Sequence, residues 1–281
     1  MNKLVVSFML LFALSCSAAE EQSKPVEAVK LPAQIKQEKL SEVIKAKIAA
    51  IPIVEGCDIS QVMFNIVEAA KNKEVSGIVL NIDCSGGVVD KFSALHDLVK
   101  KVSEKKPVVG LVLGSALSGG YLVLSATTYS IAQSISSIGH IGSIVELTKY
   151  KEPKITGNLD AKLEVELFSA GEYKGIYHPY HTLSEKERAY IKSENEKVYE
   201  IFVKLVSENR NIDLKDSKNW ADGKSYFAPD ALKLGLIDEI GTIFEAEAKL
   251  LELIRKKNPD IIFDNDCEYV FYDSSKNSKS A

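Results

Sequence analysis

Residues 107–121 read PVVGLVLGSALSGGY, and upstream of them residues 77–87 read GIVLNIDCSGG. Each stretch is an apolar run rich in β-branched residues that ends in Ser-Gly-Gly. Runs without a polar position at every second residue belong to strands buried on both faces. Phe92 to Val102 lies between them with helical periodicity. Upstream, Ile48 to Val54 reads as a strand. Ile59 to Asn72 reads as a helix through Val62, Ile66, Val67 and Ala70. Downstream, Tyr121 to Thr127 reads as a helix and Tyr129 to Ala132 as a strand. Strands alternating with helices predict an α/β fold of stacked βαβ units with a parallel sheet. In such sheets ligands bind at the carboxyl ends of the strands, where both Ser-Gly-Gly turns fall.

The C-terminal half is more helical. Ser184-Glu185-Lys186-Glu187 is a capping-box signature. The helix behind it runs to about Asn209, with Ile191, Val198, Phe202 and Leu205 on one stripe and Asn209-Arg210-Asn211 closing it. Pro229 to Leu234 is a short helix stopped by Gly235, and Phe244 to Lys256 is another. At the other end, Met1-Asn2-Lys3, the apolar run Leu4 to Leu14 and the small residues Ser15 to Ala19 have the layout of an export signal. Three fates stay open for this segment: cleavage after Ala19, lipid modification at Cys16, or retention as an anchor. The expected organisation is a signal over 1–19, a polar linker over 20–46 with a short helix from Glu38 to Ala46, a catalytic domain over 47–258, and a tail over 259–281.

The chain has 281 residues, of which 46% are hydrophobic, with a net charge of −4. That supplies a sizeable core and offers no basic excess for nucleic acid. Cys57, Cys84 and Cys267 have no metal-ligand spacing and read as ordinary partly buried thiols.

Ser118 follows a strand and opens a helix, the junction at which a nucleophile is exposed beside the amide of the next residue. Read alone, it is equally a helix N-cap, and Ser85-Gly86-Gly87 is equally a tight turn. The two turns together carry more. Cys84-Ser85-Gly86-Gly87, Leu117-Ser118-Gly119-Gly120-Tyr121, Ile138-Gly139-His140-Ile141-Gly142 and Ser169-Ala170-Gly171-Glu172-Tyr173-Lys174 follow one another. Downstream come Leu183-Ser184-Glu185-Lys186-Glu187-Arg188, Ala221-Asp222-Gly223-Lys224 and Ala231 to Asp238. In this order, over roughly residues 47–250, the chain resembles the signal peptide peptidase A (protease IV) family of the Clp protease/crotonase fold.

The resemblance implies a serine endopeptidase without metal or cofactor. Ser118 is its nucleophile, Lys174 its general base, and Gly87 and Gly119 are its oxyanion donors. A lysine accepts a proton only as the neutral amine, and Tyr173, Ile176 and Tyr177 are candidate apolar walls for it. The resemblance also implies apolar substrates such as remnant signal peptides, an octameric ring in which serine and lysine come from neighbouring copies, and a periplasmic or membrane-anchored location. His140 departs from the family's usual serine. It orients Lys174, takes the Ser118 proton itself, or does neither. Ser85 replaces a proline, which predicts a looser oxyanion turn, and Thr128 replaces an aspartate. His96 is expected to be structural or exposed, and His178 and His181 to be structural or to line the rim of the site. Two rivals stay open: a weakened relative that binds membrane peptides or scaffolds an assembly, and a crotonase-like acyl-CoA enzyme.

Overall fold

The computed structural model describes residues 43–149 and 166–273. The expected signal at 1–19, residues 20–42 of the expected linker and the last eight residues of the expected tail lie outside them. In chain order the elements are β1 (Ile44–Val54), α1 (Ile59–Lys71), β2 (Val75–Cys84), α2 (Val89–Lys105), β3 (Val108–Leu117), α3 (Gly119–Ser125), β4 (Tyr129–Ala132) and β5 (Ser137–Gly139). Then follow α4 (Glu185–Arg210), a 3₁₀ turn, α5 (Ser217–Trp220), β6 (Ser225–Phe227), α6 (Ala228–Lys233), β7 (Glu239–Ile240), α7 (Ile243–Lys257) and β8 (Phe263–Phe271). The fold is α/β, and the sheet is parallel except where β6 runs against β5.

The uninterrupted apolar runs are explained by burial on both faces. Ala49, Ile51 and Ile53 of β1, Ile78, Leu80 and Ile82 of β2, and Val108 and Val112 of β3 pack under α1, α2 and α3. Their alternate neighbours Ala46, Ile48, Ala50, Val79, Val109 and Leu111 pack against Leu250, Leu251 and Ile254 of α7 on the other face. Each fully buried aliphatic side chain contributes roughly 1.5–3 kcal/mol.

β3 is the pivot of the sheet. Its first half, Val109 to Val112, pairs with β4, and its second half, Ser115 to Leu117, pairs with β5. Between the halves the register with β2 slips, since Ile82 faces Val112 but Cys84 faces Ala116. The Asp83 carboxylate sits in this bulge, where its Oδ1 accepts hydrogen bonds from the Ser115 N–H (2.9 Å) and Oγ (3.0 Å). The space exists because Gly114 has no Cβ; one built there would stand 2.5 Å from that oxygen.

A part-buried ion pair ties α4 to the sheet. Arg210 donates to both carboxylate oxygens of Asp238 (2.8 and 2.9 Å) and to Gly235 O (3.0 Å). Asp238 Oδ2 also accepts from the Ser130 N–H (2.7 Å) and Oγ (2.8 Å). Burial opposes ionisation of Asp238, but Arg210 and Ser130 outweigh it and hold the carboxyl below its ordinary value.

Two expectations are corrected. β1 starts at Ile44, so residues 44–46 are strand and neither linker nor helix. Residues 263–271, expected in a tail, form β8, which runs parallel to β1 from the pairing Ile44↔Phe263 to Ala50↔Phe271. The strand was obscured because Asp264, Asn265, Asp266 and Glu268 give it the composition of a tail. As a sheet edge it tolerates charge on its open side.

Deleting residues 259–281 should lower stability by more than ~3 kcal/mol through lost ladder bonds and the bared β1 edge, as read by urea unfolding. Arg210→Ala should cost about 3 kcal/mol near neutral pH, because it strands the Asp238 charge. The Asp238 contribution is fully present above the unfolded carboxylate value of about 4 and is lost as pH falls through its depressed folded value. The gap in stability between wild type and Arg210→Ala should therefore close in acid.

Candidate active site

The carboxyl ends of β2 and β3 meet with almost no side chain between them. A Cβ on Gly86 would stand 2.7 Å from Gly119 N and 2.9 Å from Ser118 Cβ, and one on Gly120 would stand 2.6 Å from Cys84 O. Gly86 and Gly87 have φ of 105° and 152°, which only glycine adopts without strain. From the other side, Phe92 of α2 packs beneath both turns. A Cβ on Gly119 would fall 2.5 Å from its ring, and one on Gly87 would fall 3.0 Å from it. The glycines of the two Ser-Gly-Gly sequences are thus set by close approach as well as by turn geometry.

Ser118 itself is held with φ 49° and ψ −121°, a backbone state costing a non-glycine residue roughly 1–3 kcal/mol. Its neighbours impose that state. The Ser118 N–H donates to Gly139 O (2.8 Å), and Ser118 O accepts the first helical bond from Leu122 N–H (2.9 Å). Tyr121, fully buried, anchors α3 by donating its hydroxyl to Leu236 O (2.9 Å). The Ser118 side chain makes no capping bond. Among the described residues, the N–H groups of Gly87 and Gly119 have no acceptor.

Ser118, Gly87 and Gly119 lie at a cavity of about 500 Å³. Its apolar walls come from Val88, Val89 and Phe92 on one side and Val198, Ile201 and Phe202 of α4 on the other. Of the stripe expected on α4, Val198, Phe202 and Leu205 line the cavity, and Phe202 and Leu205 also pack on the core; Val203 and Val206, outside that stripe, enter the core beside them. The sequence pattern marked that face as apolar but carried no sign that it borders open space.

The structure brings Ser118, Gly87 and Gly119 together and leaves Lys174 and His140 off the cavity wall of this single chain. His140 is exposed, has φ 52°, and donates its backbone N–H to Lys224 O (2.8 Å). It directly follows Gly139, the residue that receives the Ser118 N–H. Lys174 is exposed. The walls expected around it are engaged elsewhere or open. Ile176 is buried, Tyr173 packs at a tilt against Tyr190 with ring centroids 4.6 Å apart, and Tyr177 is more than half exposed. The segment carrying Lys174 is nonetheless anchored. Glu172 pairs with Lys186 of α4 (2.6 Å), and Lys149 Nζ donates to Ile176 O and His178 O at 2.6 and 2.8 Å.

Other sequence candidates have structural partners. His96 is buried, with Asn209 Nδ2 at 2.7 Å from its Nε2 and Asp97 Oδ1 at 2.8 Å from its Nδ1. His181 Nε2 lies 2.9 Å from Glu187 Oε1, and His178 Nδ1 accepts a weak bond from Tyr180 N–H (3.4 Å). Thr128 Oγ1 accepts the Val108 N–H (3.1 Å), joining the starts of β3 and β4. Ser85 differs from its expectation. In place of a loose turn, its N–H and hydroxyl both donate to Glu55 (3.0 and 2.7 Å), a residue that sequence reasoning did not single out. Cys57, Cys84 and Cys267 are free thiols, and burial pushes all three upward, Cys267 to about 12. Among the described residues no group of His, Cys, Asp and Glu could hold a metal ion, and no helix is long and apolar enough to cross a membrane.

The sequence profile of peptidase family S49 matches residues 100–256, and a Clp protease profile matches residues 36–138. The chain is 34% identical to a putative protease, MJ0651, of Methanocaldococcus jannaschii over 68% of its own length and 60% of that protein. It is 29% identical to the putative signal peptide peptidase SppA of Enterococcus faecium, over 61% of its length and 49% of the relative. It is 25% identical to protease 4 of Haemophilus influenzae, over 72% of its length and 32% of the relative. The chain thus spans less than two thirds of each of these relatives. With a family profile covering more than half of its residues, the chain belongs to peptidase family S49, the signal peptide peptidase A family.

Proposed function

We propose that this protein is a serine endopeptidase in which Ser118 Oγ is the nucleophile and Lys174, supplied by a neighbouring copy, is the general base. One observation carries the reading. Ser118 stands at a strained strand–helix junction and lines an apolar cavity together with Gly87 and Gly119, whose backbone N–H groups have no acceptor among the described residues. Such an N–H pair stabilises the oxyanion of a tetrahedral intermediate, and one donor of this kind is worth roughly 10²–10³ in kcat.

In this mechanism Ser118 Oγ attacks a peptide carbonyl while its proton passes to the uncharged Lys174 amine. The oxyanion lies against Gly87 and Gly119. Collapse breaks the C–N bond as the lysine ammonium returns the proton to the leaving amine, and water then hydrolyses the acyl-enzyme. A lysine base works in a desolvated pocket, so this reading requires a surface that covers Lys174. Its exposure in the single chain favours a site completed between copies, with assembly in a ring as the condition of activity. His140 is given the lesser role of orienting the amine.

The apolar walls favour peptides with a large hydrophobic residue next to the cleaved bond. Signal peptides left in the membrane after export fit that description. The apolar run at residues 4–14 supports action on the exported side of the membrane, in the periplasm or at its outer face.

A fluorophosphonate probe should label the wild-type protein at Ser118 and leave Ser118→Ala unlabelled; an unlabelled wild-type assembly refutes the nucleophile. Ser118→Ala and Lys174→Ala should each lower kcat by about 10³-fold or more, and mixing the two variants should restore measurable hydrolysis through mixed assemblies. If hydrolysis survives Lys174→Ala and is abolished by His140→Ala, the base is His140.

A further inference from the structure

We propose that Glu55 is a positioning residue whose carboxylate fixes the turn that carries the Gly87 amide to the Ser118 cavity. This rests on the reading of Ser118 as nucleophile and Gly87 as oxyanion donor.

Glu55 directly follows the last residue of β1, and its Oε2 accepts two hydrogen bonds from one residue of the neighbouring strand end. The Ser85 N–H donates at 3.0 Å and the Ser85 Oγ donates at 2.7 Å. Two donors on one carboxylate oxygen define the position of Ser85 along both its backbone and its side chain. The bond is charged, since these same donors hold the Glu55 carboxyl below the usual carboxylate range.

The two glycines after Ser85 make the anchor matter. Gly86 and Gly87 belong to the residue type with the widest conformational freedom, and both sit at positive φ. Gly86 is held otherwise by the Cys84 sulfur, which accepts its N–H at 3.4 Å, a weak acceptor. Yet the turn must keep Gly86 pressed on Ser118 and Gly119, where there is no room even for a Cβ. A drift of the turn would move the Gly87 N–H relative to the Ser118 hydroxyl, and oxyanion stabilisation falls steeply with misplacement of the donor. Ser85 and Glu55 together therefore supply the rigidity that a proline ring would give at position 85. Cys84 before it is extended strand, the conformation that a following proline requires.

The test uses the full-length assembled protein with Glu55→Ala, Ser85→Pro and the double variant, followed by amide hydrogen exchange over residues 84–88 and by hydrolysis of an apolar fluorogenic peptide. Glu55→Ala should speed exchange in that segment about tenfold and lower kcat roughly tenfold with KM unchanged, and Glu55→Gln, which keeps an acceptor oxygen, should fall between. In the Ser85→Pro background, where the ring replaces the clamp, Glu55→Ala should change kcat less than about twofold. The proposal is overturned if Glu55→Ala matches wild type in both exchange and kcat, or if the same loss persists in the Ser85→Pro background. Should the wild-type protein neither hydrolyse peptide nor take the fluorophosphonate probe, the peptidase reading fails on its own, and the exchange measurement still decides whether Glu55 fixes the turn.

Discussion

The site depends on a backbone-on-backbone contact: the turn after β2 lies directly against the turn after β3. With Gly86 on Gly119 and Gly120 on the Cys84 carbonyl, the two strand ends approach more closely than any side chain would permit. The strained state of Ser118 accompanies this contact, Gly87 and Gly119 line the same cavity as Ser118, and Phe92 is the floor beneath the two turns. The strain is held by ordinary interactions nearby: the Gly139 carbonyl on the Ser118 N–H, and the buried Tyr121 hydroxyl on Leu236. A hydroxyl kept out of its preferred backbone geometry, with no capping bond of its own, is available for chemistry in a way that a relaxed helix cap is not.

Carboxylates repeat one device across the sheet. Glu55 at the end of β1 holds Ser85 after β2, and Asp83 near the end of β2 holds Ser115 on β3. In each case a single oxygen accepts both the backbone and the side-chain donor of a serine on the next strand over. The strand ends leading to Ser118 are thus fixed in sequence from β1 inward, by charged bonds where the regular ladder has given out. Farther away, the Arg210–Asp238 pair fixes the C-terminal end of α4, the helix that walls the cavity.

Much of this was legible in the sequence, for reasons that separate cleanly by residue. β2 and β3 were readable because burial on both faces leaves contiguous apolar runs, and the start of α4 because Ser184 and Glu187 form a reciprocal cap. The two Ser-Gly-Gly turns were readable because close backbone approach demands glycine at fixed offsets from the serine. β8 was hidden by its acidic outer side, and β5, β6 and β7 are too short to show a period. The cavity face of α4 looks the same in sequence as a core face. Glu55 gave no signal at all, since its partner Ser85 is distant in the chain and neither residue is unusual in type. The single-chain surroundings of Lys174 were not legible for a different reason: Tyr173 packs on Tyr190 and Ile176 is buried, and nothing in a linear pattern tells which neighbour an aromatic ring will choose.

The division of β3 has a further consequence. Because its first half is registered to β4 and its second half to β5, with a bulge between, the two halves take their outer partners independently. The height at which the serine stands above the main sheet can be altered by lengthening or shortening the bulge, while every pairing from Val109 to Val112 stays as it is. A scaffold jointed in this way separates the evolution of reach from the evolution of stability.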